Sequence, residues 1–124
     1  MKVFVTMIRH DLLQNEEETV YEGPALLNGS RLLYTEGKNA RHCVIFSDDR
    51  IILRREADIS SETVLYFAGK GECRVSSPYG DMLFYTDLLG FEKTDSVWSA
   101  SYRISAADGI VSEQRIVWKL KKIN

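Results

Sequence analysis

Two cysteines and two histidines are the whole stock from which this 124-residue chain could build a thiol nucleophile or a zinc site. A cysteine nucleophile needs a base within hydrogen-bond reach. His42 and Cys43 are neighbours, but adjacent residues on a strand point to opposite faces and cannot share one site. Cys73 can meet His10 or His42 only through the fold. Both cysteines fall in strand-like segments, where the usual role is that of a small buried hydrophobe. The histidines are far apart, and no Cys-x-x-Cys or His-x-x-x-His spacing occurs, so no metal site is indicated. No catalytic residue and no cofactor is expected.

Other polar clusters have plainer roles. Asp48-Asp49 and Asp108 sit where turns are expected, and aspartate is favoured there because its carboxylate bonds to nearby backbone. Gly69-Lys70-Gly71 has the composition of a phosphate loop but lacks the strand–loop–helix context that gives such a loop meaning. Carboxylate pairs such as Glu16 with Glu18, or Glu56 with Asp58, do acid–base work only in a cleft that separates their pKa values. In a charge-rich loop they are simply solvated. Lys119, Lys121 and Lys122 read as protection of an outer face or edge. A nucleic-acid site would want a larger basic patch with interleaved aromatics.

The set with most chemical promise is Arg54, Arg55, Tyr66, Tyr79 and Tyr85. A protein interior that holds an amphipathic ligand often combines aromatic walls with one arginine aimed at a carboxylate or phosphate. Arg54 and Arg55 point to opposite faces of one strand, so one of them is directed inward. Its partner would be a ligand anion, or else Glu56, Glu72 or Asp87 of the protein. The tyrosines are equally well explained by β-propensity and cross-strand packing.

Strands must position these residues, and the periodicity places strands almost end to end. Ser112, Gln114, Ile116, Trp118 and Leu120 alternate with Glu113, Arg115, Val117, Lys119 and Lys121. Upstream, Trp98, Ala100, Tyr102 and Ile104 alternate with Ser99, Ser101 and Arg103, and the intervening Asp108-Gly109 is a strong hairpin signal. In Ser77-Pro78-Tyr79-Gly80, Pro78 presets φ and Gly80 tolerates a positive φ, with Tyr79 read as a lid packed on the core. Asn28-Gly29, Gly37-Lys38-Asn39, Asp48-Asp49 and Gly69-Lys70-Gly71 punctuate strand-like segments at 20–27, 31–35, 41–46, 50–55, 63–67 and 72–76. Pro24 beside Gly23 marks a bulge, a kink or an edge position. Residues 11–18 read as a solvated loop, and 88–95 as a short strand followed by a turn.

Turns this close together leave no space for parallel crossovers, so neighbouring strands are antiparallel and sequential. Nine or ten strands are too many for a flat exposed sheet of this size. Closure into an up-and-down barrel of about 8–10 strands removes the edges, with a sandwich as the alternative. Hydrophobic residues make up 44% and charged residues 27%, which fits a soluble globular protein; with the strand pattern, the chain reads as one all-β domain spanning 1–124. A net charge of −2 offers no footprint for nucleic acid or an anionic membrane. No apolar run reaches the length of a membrane span. Arg9, His10 and Asp11 interrupt the apolar N-terminus without a signal cleavage site, so a cytoplasmic location with reduced thiols is expected.

The order Leu32-Leu33-Tyr34-Thr35-Glu36, Ile51-Ile52-Leu53-Arg54-Arg55, Ser77-Pro78-Tyr79-Gly80, Tyr102-Arg103-Ile104 and Val111-Ser112-Glu113 resembles the YwiB-like family, small bacterial proteins of unknown function. The resemblance covers most of the chain, best from Leu32 onward, with Ser77 where threonine is commoner. It implies a calycin-like barrel, similar in shape to lipocalins and fatty-acid-binding proteins. It implies no activity and carries over no site residue.

Two functions follow as expectations. One is a non-enzymatic intracellular barrel, monomeric or homodimeric, holding a small hydrophobic or amphipathic ligand. The other is a protein-interaction or regulatory module with a solid core. A connected cavity of several hundred Å3 separates them, since Trp98, Trp118, Phe84 and Leu65 filling the interior would leave no room for a ligand.

Overall fold

The computed structural model describes residues 1–123. They form ten strands: β1 (Lys2–Asp11), β2 (Glu16–Asn28), β3 (Arg31–Glu36), β4 (Ala40–Phe46), β5 (Arg50–Glu56), β6 (Ser60–Tyr66), β7 (Gly71–Ser77), β8 (Gly80–Lys93), β9 (Val97–Ala106) and β10 (Gly109–Lys122). Each strand pairs antiparallel with its neighbours in sequence, and β10 returns to pair with β1 from Val3↔Lys122 to Asp11↔Gln114. The result is a closed up-and-down barrel, which removes the free edges that an open sheet would expose.

Turn chemistry sets the hairpins where glycine supplies a positive φ. Pro78 and Tyr79 form the β7–β8 turn, Gly80 follows at φ 128°, and the Ser77 hydroxyl accepts from the Tyr79 amide while donating to the Gly80 carbonyl. Tyr79 does not pack down: it is 99% exposed at the tip of the hairpin, because a two-residue turn directs its side chain away from the barrel. The first connection is shorter than a solvated loop over 11–18. Asp11 accepts from the amides of Leu13 and Gln14, Asn15 takes a positive φ, and β2 begins at Glu16. Residues 88–93 are not a separate strand either. A register shift between Leu88 and Gly90 bends β8 while it stays paired with β9, so β8 runs unbroken to Lys93.

Inward residues divide the interior into two halves. At the end carrying the β2–β3, β4–β5, β6–β7 and β8–β9 connections the core is solid. Val3, Val5, Leu32, Ile51, Leu65 and the two tryptophans are all but inaccessible there. Phe46 lies 5.1 Å from Trp98 and 6.4 Å from Trp118, edge-on to the latter. Each large apolar side chain buried this way stabilises the fold by about 1.5–3 kcal/mol. At this end β7 starts late, and the Thr86 hydroxyl donates to the Val64 carbonyl (2.7 Å) to join β8 directly to β6. Stacking of Phe67 on Phe91, 4.5 Å between centroids, covers the same gap.

One join in the wall is incomplete. β2 has thirteen residues, yet only Leu26, Leu27 and Asn28 pair with β3. Val20 is an extra residue in the β1–β2 ladder, which bends β2, and Pro24 has no amide to offer. Beyond Leu26 and Leu33, towards the opposite end of the barrel, the two strands part.

Candidate functional site

The other half of the barrel is hollow. A cavity of about 580 Å3 opens between the β1–β2, β3–β4 and β5–β6 hairpins, which form the mouth. Its floor is the top of the solid half: Trp118, Ile116, Val44 and Leu53. Strand alternation explains which side chains reach it. On β4, His42, Val44 and Phe46 share the inward face. On β5, Ile51, Leu53 and Arg55 do so, and on β6, Ser61, Thr63 and Leu65.

A chain of hydrogen bonds fixes the deep polar wall. The Trp118 indole N–H donates to the Tyr34 hydroxyl (3.2 Å), which donates to the Met7 thioether (2.9 Å). Tyr34 stacks on His42, 4.7 Å between centroids and nearly parallel, and the His42 ring nitrogen Nε2 contacts Glu36 at 3.0 Å. Burial pushes the His42 pKa below the usual histidine value; the Glu36 contact opposes this, and the Arg55 charge adds to it. Burial also raises the Tyr34 phenol, so it stays a neutral donor. Across the cavity, Gln114 donates to the Tyr102 hydroxyl (2.6 Å), and burial pushes Tyr102 up to about 12. The Thr63 hydroxyl contacts the Cys73 sulfur at 3.3 Å, so that thiol is a wall group.

The five residues singled out in the sequence do not assemble into one site. Arg55 is on the inward face, opposite His42 in the β4–β5 ladder, and lines the cavity. Its Nη1 donates to the Ile59 carbonyl (3.0 Å), and no described carboxylate forms an ion pair with it. Glu56, Glu72 and Asp87 are engaged elsewhere, with Arg41, Arg74 and Lys70. Arg54 takes the outward face and is paired with Glu62 at 2.7 Å, with its guanidinium beside the rim. Tyr66 is outward under the Arg50 guanidinium, 5.2 Å from its ring centre, and Tyr85 is outward and exposed. Alternation excludes both from the interior, since Leu65 and Thr86 occupy the inward positions beside them. Tyr34, His42, Tyr102 and Gln114 were the missed members. Their signal was present in the alternation with Leu32, Val44, Ala100 and Ile116.

Among described residues no group of three or more histidine, cysteine or carboxylate side chains is placed to hold a metal ion. Cys43 and Cys73 are unpaired thiols. Charged side chains line the mouth, where Arg9 is paired with Glu18 and Glu36 bonds to the His42 ring.

No protein-family model matches the chain, and no curated protein matches it by sequence. Its three-dimensional fold is similar to that of the ywiB protein from Bacillus subtilis, with a TM-score of 0.59 over 98% of this chain and 91% of that one. The two are 11% identical, so the likeness is one of fold: the barrel is YwiB-like.

Proposed function

We propose that this protein is a non-enzymatic binding barrel whose hollow half takes a small amphipathic ligand, apolar part on the Trp118 floor and anionic group on Arg55. The reading rests on one observation above the rest. Arg55 faces a cavity with a single hydrogen bond to a backbone carbonyl and no described carboxylate in ion-pair range. A guanidinium carries five N–H donors in a planar fork, so most of its capacity is available to a carboxylate or phosphate. The cavity of about 580 Å3 lies in the range of small-molecule sites, about 300–1,000 Å3. Apolar floor and polar rim match the two ends of an amphipath.

A surface interaction module is the second reading, supported by the outward Leu83 and Tyr85 on β8, which are exposed near Tyr79. Titration separates the two. Trp118 lines the cavity, so decanoate entering it changes tryptophan fluorescence saturably. Arg55→Met weakens decanoate by about 10- to 100-fold, the worth of a charge-assisted hydrogen bond, and leaves decanol unchanged. Absence of any saturable change with decanoate, decanol or decyl phosphate, together with a bare mass for protein purified from its own cells, would falsify the ligand reading.

A further inference from the structure

The incomplete β2–β3 join leads to a second feature of the same cavity. On the outside of the barrel, a groove of about 450 Å3 runs along the split, its apolar lining from Pro24, Ala25, Leu26 and Leu33 and its charged members Lys2 and Arg41. The groove and the interior cavity have two wall residues in common, Tyr34 and His42. What closes the split is therefore side chain and not backbone.

Tyr21 is the outermost piece of that closure. Its ring stacks on Tyr34, 4.8 Å between centroids, continuing the Tyr34–His42 stack outward. The Tyr21 hydroxyl donates to the Pro24 carbonyl (2.8 Å), on a stretch of β2 that has no partner strand in β3. The ring lies over Gly23, where a Cβ would come within 2.6 Å of the hydroxyl and 2.9 Å of the ring. Glycine at 23 is thus what allows the ring its seat. Tyr34 is anchored to Trp118 and Met7, whereas Tyr21 is held by one hydrogen bond and one stacked face.

Resting on the ligand reading above, we propose that the groove is an apolar vestibule through which the ligand's hydrocarbon part reaches the cavity, with Tyr21 as its gate. The mouth is the costlier route for hydrocarbon, because it is lined by the Arg9–Glu18 pair, Glu36 and Arg55. The split is lined mostly by proline, alanine, leucine and ring faces, with Lys2, Thr35 and Arg41 as its polar members. The ligand it suits is an amphipath with a flexible alkyl or aryl-alkyl portion. Its anionic group stays at the charged mouth while its tail passes sideways.

A gate residue changes rates and leaves the end states alone. Stopped-flow tryptophan fluorescence with decanoate tests this on three variants. Tyr21→Ala removes the ring, and Gly23→Ala displaces it without removing it. Both raise association and dissociation rates together by about tenfold, keeping Kd within about threefold of wild type. Tyr21→Phe keeps the ring, drops the Pro24 hydrogen bond and gives a smaller rise. Unchanged rates in Tyr21→Ala and Gly23→Ala, with wild-type binding intact, overturn the gate and leave the ligand reading standing. So does a loss of affinity carried by dissociation alone, which would make Tyr21 an ordinary wall residue. No saturable change in the wild type overturns the ligand reading first, and the vestibule with it.

Discussion

His42 shows how one residue's burial becomes a property of the protein. It is stacked on Tyr34, bonded to Glu36 and faces Arg55, with its side chain 11% exposed. Burial lowers its pKa in the folded state, so the unfolded chain binds the proton more readily. The stability this contributes is complete above the unfolded value near 6.5 and is lost as pH falls through the lower folded value. Melting temperatures taken from about pH 8 down to about pH 5 should therefore fall more steeply for wild type than for His42→Gln, which keeps an amide beside Glu36 and has no proton to gain. Equal slopes would place the acid sensitivity elsewhere. The sequence directed attention to Arg55 because two adjacent arginines on a strand must divide between faces. It passed over His42 and Tyr34, because a histidine beside a cysteine invites a search for a nucleophile. Their inward direction is set by alternation with Val44 and Leu32, which was available. Their stacking follows from the β3–β4 register, which sets Tyr34 opposite His42. The further stacking of Tyr21 on Tyr34 depends on how β2 runs past β3 where the two are unpaired, which was not legible.

At the scale of elements, hairpins were legible wherever Asp-Gly, Asn-Gly or Pro-x-Gly punctuated an alternating pattern. The bulges were not, since a register shift within a ladder leaves no composition signal of its own. The bend in β8 and the parting of β2 from β3 both come from such shifts. Pro24 beside Gly23 was the one visible hint, and it does fall on a stretch of β2 that pairs with β1 but not with β3. Two substitutions test how the closed end is joined. Thr86→Val leaves the Val64 carbonyl without its donor and should destabilise by about 1–3 kcal/mol in denaturant unfolding. Gly71→Ala places a Cβ 2.0 Å from the same carbonyl, a backbone clash that no rotamer relieves, and should cost about 3 kcal/mol or more. If Gly71→Ala unfolds at the wild-type denaturant concentration, the direct approach of β6 to β8 is wrong.

The whole molecule is a barrel with a solid half and a hollow half, and the two halves have separate tasks. Trp98, Trp118, Leu65 and Ile51 supply the stability that lets the other half stay open. Leu65→Ala should therefore destabilise by about 2–5 kcal/mol, yet leave decanoate affinity nearly unchanged, because Leu65 does not line the cavity. The closed barrel was legible from turn spacing and strand number together. Which half is filled depended on where each long side chain sits along its strand, and alternation alone does not report that. The central claim is that the hollow half holds the apolar part of an anionic amphipath. Methyl NMR of the protein titrated with decanoate tests it most directly. Saturable shifts should concentrate on Val44, Leu53, Val75, Ile104 and Ile116, spare Val3, Val5 and Leu32, and weaken in Arg55→Met. Shifts confined to outward methyls such as Leu83, Ile110 and Val111, or none that saturate, would contradict it.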